Sequence, residues 1–276
     1  MTIERARRKP GWWEVVIEQI ITIGYMLRWA ALMALGTCVL LICVATKLSF
    51  NVRDKIAAGS RESIDLSFTP QISMVLAVVA ILVPLMVWQD EDISRRTYHR
   101  AMPVSQSRHA LSKVFAGWCL LLLVTTLFVV TAWLSHFVSE SIVGQPQPYH
   151  TGFVWWEWLV PYTSVSVAYL LSSAAAVGTR RPIAWFAAIP GLYFVVGGLA
   201  DALGYDRIVY TLTTFSREGY GVSAAFGGDI TRYSDGFRRY SSTYPSVERW
   251  LGAALLWSAV GSLLLWWAAR RRYEVS

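Results

Sequence analysis

Six apolar runs, each long enough for a helix of membrane width, alternate with polar or charged stretches along the 276 residues. A bilayer core about 30 Å thick calls for roughly 20 mostly apolar residues per helix, because lipid offers no partner to an unpaired backbone N–H or C=O. On that measure the pattern predicts spans over 25–46, 71–88, 114–137, 159–177, 183–199 and 250–269. The fold class that follows is all-α: a polytopic membrane protein built as a single transmembrane domain. Residues 11–24 carry a different pattern. Glu14, Glu18 and Thr22 form one polar stripe at four-residue spacing, while Trp13, Val16, Ile17, Ile20 and Ile21 cover much of the remaining circumference. This predicts an amphipathic helix lying in the interface plane, anchored by Trp12, Trp13, Ile17 and Ile20. A straight extension of the first span is the alternative.

Details within the runs refine the picture. Pro84 predicts a kink near the end of the second run. In the third, the hydroxyls of Thr125, Thr126 and Thr131 can bond their own helix carbonyls, so they need not line a path. The fourth run is rich in small residues, with Ser164, Ser166, Ser172 and Ser173, which permits close helix approach. Pro190-Gly191 and Gly197-Gly198 interrupt the fifth and predict a hinge or a close contact. Ala254, Ser258 and Ser262 predict a small-residue face on the sixth, and Pro245 suits its first turn. Between the runs, 47–70 and 138–158 read as outer loops, the latter ending in the tryptophans Trp155, Trp156 and Trp158 that belong at headgroup level. The longest polar stretch, 201–249, holds nine Tyr and Phe residues from Tyr205 to Tyr244, too aromatic for a random linker.

Composition agrees: 55% of residues are hydrophobic and the formal charge is +7. The basic residues beside the runs (Arg5, Arg7, Arg8, Lys9, Arg28, Arg95, Arg96, Arg100, Arg108, Lys113, Arg180, Arg181 and 270–272) fit a topology signal better than a nucleic-acid surface. They place both termini and the 89–113 stretch in the cytoplasm, which an even number of spans satisfies, in a bacterial or archaeal cytoplasmic membrane. The N-terminus lacks the short apolar core of a cleavable leader. Cys38, Cys43 and Cys119 lie inside apolar runs without metal-ligand or CxxC spacing and read as packing residues. No GxxxxGK[ST] or HExxH is present, and the runs carry hydroxyls but no Asp, Glu or Lys at mid-depth. No catalytic, cofactor or metal site is therefore expected in this chain. A metal shared by His136 and His150 is far less favoured than two solvated loop histidines. An energy source outside the chain is implied.

The charged island 89–113 draws most attention. Acidic Asp90, Glu91 and Asp92 come first, then Arg95, Arg96 and Arg100 at helical spacing; Pro103 ends that short helix and Ser105 can cap the next. Glu91, Arg96-Thr97, Met102-Pro103-Val104-Ser105, Leu111 and Lys113 resemble the loop between the second and third spans of type-2 ABC transporter permeases. In that family the loop carries a coupling helix docked on an ATP-binding subunit. The resemblance implies such docking through Ser94, Arg95, Thr97, Tyr98, Arg100, Ala101, Met102, Pro103 and Ser105. It also implies an elbow helix before the first span, and a short helix over 201–215 that partly re-enters the membrane.

What the resemblance implies as a whole is a permease subunit that exports or flips an amphiphilic or hydrophobic cargo. ATP and Mg would be bound by the ATPase partner rather than by this chain. A second permease copy would complete a homo- or heterodimer. The alternatives are a non-transporting membrane anchor or assembly factor, an intramembrane enzyme, and a basic loop that merely sets topology.

Overall fold

The computed structural model describes residues 11–58, 69–89, 106–144, 155–179, 182–208, 211, 220–227, 232–233, 240–241 and 246–274. Its helices are α1 (Trp12–Met26), α2 (Arg28–Ala57), α3 (Thr69–Gln89), α4 (Gln106–Val143), α5 (Val160–Gly178), α6 (Pro182–Ala202), α7 (Val222–Ala225) and α8 (Val247–Glu274). A short 3₁₀ turn, Trp155–Leu159, leads into α5, and Arg232–Tyr233 pairs antiparallel with Tyr240–Ser241 in a two-residue ribbon. The described chain is otherwise helical. Four stretches, Arg28–Ala57, Ser107–Val143, Val160–Gly178 and Val247–Arg270, are long and apolar enough to cross a bilayer, so the protein is membrane-embedded.

Helix lengths match that medium. The uncharged run of α8, Trp250–Ala269, is 20 residues and that of α4, Val114–Ser135, is 22. At about 1.5 Å per residue both come to roughly 30 Å, the thickness of the hydrocarbon core. Two helices run on past it. α2 continues through Lys47 to Ala57, and α4 continues through His136 to Val143, so 47–57 and 138–143 are helical where loops were expected. They support each other there: the Ser49 hydroxyl donates to Ser139 Oγ at 2.8 Å. A helix already satisfies its own backbone, so it has no reason to stop at the lipid boundary.

α5 is the centre of the bundle, packed against α3, α4 and α8. It runs antiparallel to α4, since Trp118 reaches Ser166 and Val114 reaches Tyr169. It runs parallel to α8, with Thr163 bonded to Trp250 near one end and Gly178 against Ala268 at the other. One cluster gathers the ends of four helices, including Val87 and Trp88, Ala110 and Val114, Ala176 and Val177, and Leu265 and Ala268; Ile23 of α1 joins it. Arg28, Lys113 and Arg270 lie at this same end, called here the basic end. α2 lies outside α4, and among the described residues α6 packs chiefly on α5.

Two expectations are corrected. α6 runs unbroken through Pro190, Gly191, Gly197 and Gly198, and among the described residues no atom of another element lies within 4 Å of where a Cβ on the three glycines would sit, so neither a break nor a close contact forms there. The packing face of α8 is Ala254, Gly261, Leu265 and Ala268, while Ser262 is exposed. Steps of three and four track a 3.6-residue helix, whereas successive steps of four drift off the face. At the start of α8 the Ser246 Oγ accepts the Arg249 N–H at 3.3 Å, and Pro245 lies outside the described residues. α6 closes at Gly204, whose φ of +71° is open to glycine, with the Tyr205 N–H returning to the Ala200 carbonyl at 2.8 Å. Residues 206–208 and 211, within the stretch where a short helix was expected, are helical and exposed, and 209–210 and 212–215 lie outside the described residues; a further short helix, Val222–Ala225, is seated in the bundle.

Candidate functional site at the basic end

The nine residues expected to dock a partner, Ser94, Arg95, Thr97, Tyr98, Arg100, Ala101, Met102, Pro103 and Ser105, lie outside the described residues. Their two anchor points do not. α3 ends beside Trp88, α4 begins at Gln106, and Lys113 in the second turn of α4 places its ammonium 4.7 Å from the centre of the Trp88 ring. Lys113 is buried, so the cation rests on the negative face of the indole away from bulk water, where such a contact is worth about 2 kcal/mol. The 16 residues from 90 to 105 thus leave and rejoin the bundle at neighbouring points.

α1 closes the other side. Its N–H at Gly11 is capped by the Glu14 carboxylate at 2.8 Å. Three sectors run along it. Val15, Val16 and Ile23 are buried; Trp13, Ile17, Ile21 and Tyr25 are exposed and apolar; Glu14, Glu18 and Thr22 are exposed and polar. The protein-facing sector packs on α4. The Arg108 guanidinium lies 5.9 Å from the Trp12 ring, and Trp13 meets Phe115 edge-on at 6.3 Å. Of the four expected anchors, Trp13 and Ile17 therefore belong to the exposed apolar stripe, whereas Trp12 and Ile20 face the bundle. At Leu27 the backbone leaves helical geometry, ψ being 6°, and Arg28 starts α2 with its guanidinium 4.3 Å above Tyr25.

Behind this surface the bundle is pinned by polar contacts that sequence reasoning missed. Pro84 has no N–H, which leaves the Ala80 carbonyl one turn earlier without its helical donor. The Ser172 hydroxyl of α5 supplies one at 3.2 Å, shared with the Tyr169 carbonyl at 3.0 Å. A freed carbonyl in a membrane helix is met in just this way by a neighbour's hydroxyl. The buried Tyr169 hydroxyl donates to the Val114 carbonyl at 2.9 Å, and it fits because Gly117, one turn on, has no side chain to meet it. Trp118 Nε1 donates to Ser166 Oγ at 3.0 Å. Pro84 and Gly117 were visible as anomalies in apolar runs, but their partners lie 88 and 52 positions away. The threonines behave as the sequence predicts, with Thr125, Thr126 and Thr131 each donating to the carbonyl four residues back.

Among the described residues no group of three or more His, Cys, Asp or Glu side chains converges as a metal site would require. His136 faces Glu140 at 3.6 Å across one turn of α4, and His150 lies outside the described residues. Cys38, Cys43 and Cys119 are free thiols. Set beside protein-family models, curated proteins and solved structures, the chain matches none of them.

Proposed function

We propose that this chain is the membrane-spanning subunit of an ATP-driven transporter of the type-2 ABC permease class. It crosses the membrane six times, through α2, α3, α4, α5, α6 and α8, with the basic end and both termini in the cytoplasm. α1 is the interfacial elbow: lipid meets Trp13, Ile17, Ile21 and Tyr25, water meets Glu14, Glu18 and Thr22, and α4 takes the third side. A separate ABC-type subunit binds ATP and Mg and docks on Ser94–Ser105. A second permease copy completes the pathway, and the cargo exported or flipped is amphiphilic or hydrophobic.

The observation that carries this reading is the convergence of the helix ends bearing Arg28, Lys113 and Arg270 around the two anchor points of the 90–105 segment. Because Trp88 and Lys113 hold those points together, a push on the segment is passed to α3 and α4 jointly, and through the Ser172 and Tyr169 contacts to α5. Replacing Tyr98, Arg100 and Met102 together by alanine is expected to abolish co-purification of an ATPase subunit while membrane insertion is unchanged. Normal retention of the ATPase by that variant refutes the docking site. ATPase activity of the reconstituted complex that fails to respond to any amphiphilic cargo favours the anchor reading instead.

A further inference from the structure

Arg28 opens α2 at the corner where the backbone leaves α1. The next 18 residues, 29–46, carry no charge. At about 1.5 Å per residue they span roughly 27 Å, which sets Arg28 at the boundary of the hydrocarbon core. Its guanidinium lies over two rings, 4.3 Å from the centre of Tyr25 and 5.7 Å from that of Trp29. Both rings are about two-thirds exposed, and Arg28 is exposed with them. A guanidinium that rests on aromatic faces is held there without using any of its N–H donors. Among the described residues no carboxylate pairs with it, and along the chain the nearest are Glu18, 10 positions before, and Asp54, 26 after.

At headgroup level the acceptor that suits those donors is a lipid phosphate, which a guanidinium can grip through two parallel N–H···O bonds. Leu32, Leu35 and Val39 continue the same face of α2 at steps of four, three and four, and each is more than half exposed. A cation above a column of exposed apolar side chains matches a phospholipid, with phosphate at the head and an acyl chain along the column. The headgroup that fits carries a net negative charge. In a zwitterionic one the ammonium also needs a partner, and the two rings that could take it already hold the guanidinium.

We propose that the corner of α1 and α2 binds an anionic phospholipid of the leaflet at the basic end. Its phosphate sits on Arg28, over Tyr25 and Trp29, and one acyl chain lies along Leu32, Leu35 and Val39. The site rests on the interfacial placement of α1 proposed above, and not on the ATPase or the cargo.

The test is lipid retention by the purified chain, titrated in detergent with phosphatidylglycerol or phosphatidylcholine and read by native mass spectrometry. Phosphatidylglycerol is expected to bind the more tightly. Arg28→Gln is expected to lower that affinity about fivefold, the factor that about 1 kcal/mol per interfacial arginine sets, with phosphatidylcholine unchanged. Arg270→Gln, which removes a guanidinium 3.9 Å from the Trp266 ring on α8, controls for diffuse charge and is expected to do clearly less. Wild-type retention of phosphatidylglycerol by Arg28→Gln overturns the site and leaves that face to a second copy of the chain. An equal loss in Arg270→Gln overturns it in favour of charge alone, and displacement of the lipid by inorganic phosphate overturns it in favour of a free anion. A bimane on Ile17→Cys, in vesicles and in a chain whose three native cysteines are replaced by alanine, separates this site from the placement of α1. Quenching by a lipid labelled with a nitroxide near its headgroup is expected. Without quenching α1 is not interfacial and the lipid site falls with it; quenching together with unaltered retention in Arg28→Gln overturns the site alone.

Discussion

α2 and α5 are both uninterrupted helices of membrane width, yet they occupy opposite environments. α2 is the more apolar of the two and is almost wholly exposed, touching α4 through Cys38, Ala45 and Ser49. α5, with four serines and several alanines, is the less apolar and the most buried. In water this order would be inverted. In lipid, a leucine-rich surface gains nothing by leaving the bilayer, and association is decided by close packing and by polar groups that find partners. The serine-rich helix therefore goes to the centre, and the leucine-rich one stays outside.

Glycine substitutions test that contrast most severely. Gly117→Ala places a methyl group against the Tyr169 hydroxyl, and an overpacked site of this kind is expected to lose about 2–3 kcal/mol. Gly36→Ala on α2 meets no atom within 4 Å and is expected to be neutral in the same detergent unfolding assay. Tyr169→Phe, which removes the clashing oxygen, recovers part of the Gly117→Ala loss; no recovery would mean that the clash is not the cause.

A smaller effect is expected where α3 meets α5. Ser172→Ala leaves the Ala80 carbonyl buried without its donor, at an expected loss of about 1–2 kcal/mol. In a Pro84→Ala background the helix supplies its own N–H to Ala80, so Ser172→Ala becomes cheaper. Equal losses in the two backgrounds would show that Ser172 acts through something other than the proline gap.

The smallest change is at the edge of the bundle. Ser49→Ala removes the hydroxyl bridge between α2 and α4, and inter-helix hydrogen bonds in membrane proteins average about 0.6 kcal/mol. A loss as large as that at Ser172 would place α2 among the structural helices and erase the distinction between core and periphery.

Helix positions were largely legible. Every apolar run forms a helix, and Arg28, Lys113 and Arg270 flank those helices where charge patterning puts them. The three-sided character of α1 was half legible. The polar stripe Glu14–Glu18–Thr22 was plain, but Trp12 and Ile20 could not be told from Trp13 and Ile17, because packing on α4 and contact with lipid both demand apolar side chains. The ends of α2 and α4 were missed because polar residues do not end a helix whose backbone is already satisfied. The seated turn at 222–225 was missed because alanine and glycine carry no periodic signal; its place is set by the small residues Gly252, Ala253 and Ala254 across from it.

By itself the sequence determined that this is a membrane protein, roughly where its helices lie, and which of their ends are basic. Lipid leaves a long apolar run no choice but to bond its own backbone, and that constraint acts locally. Only the tertiary structure decided that α5 is central, that Ser172 serves Pro84, and that Gly117 makes room for Tyr169. Small and hydroxyl-bearing residues look alike along any apolar run, and each acquires its role only from the atom that a neighbouring helix brings against it.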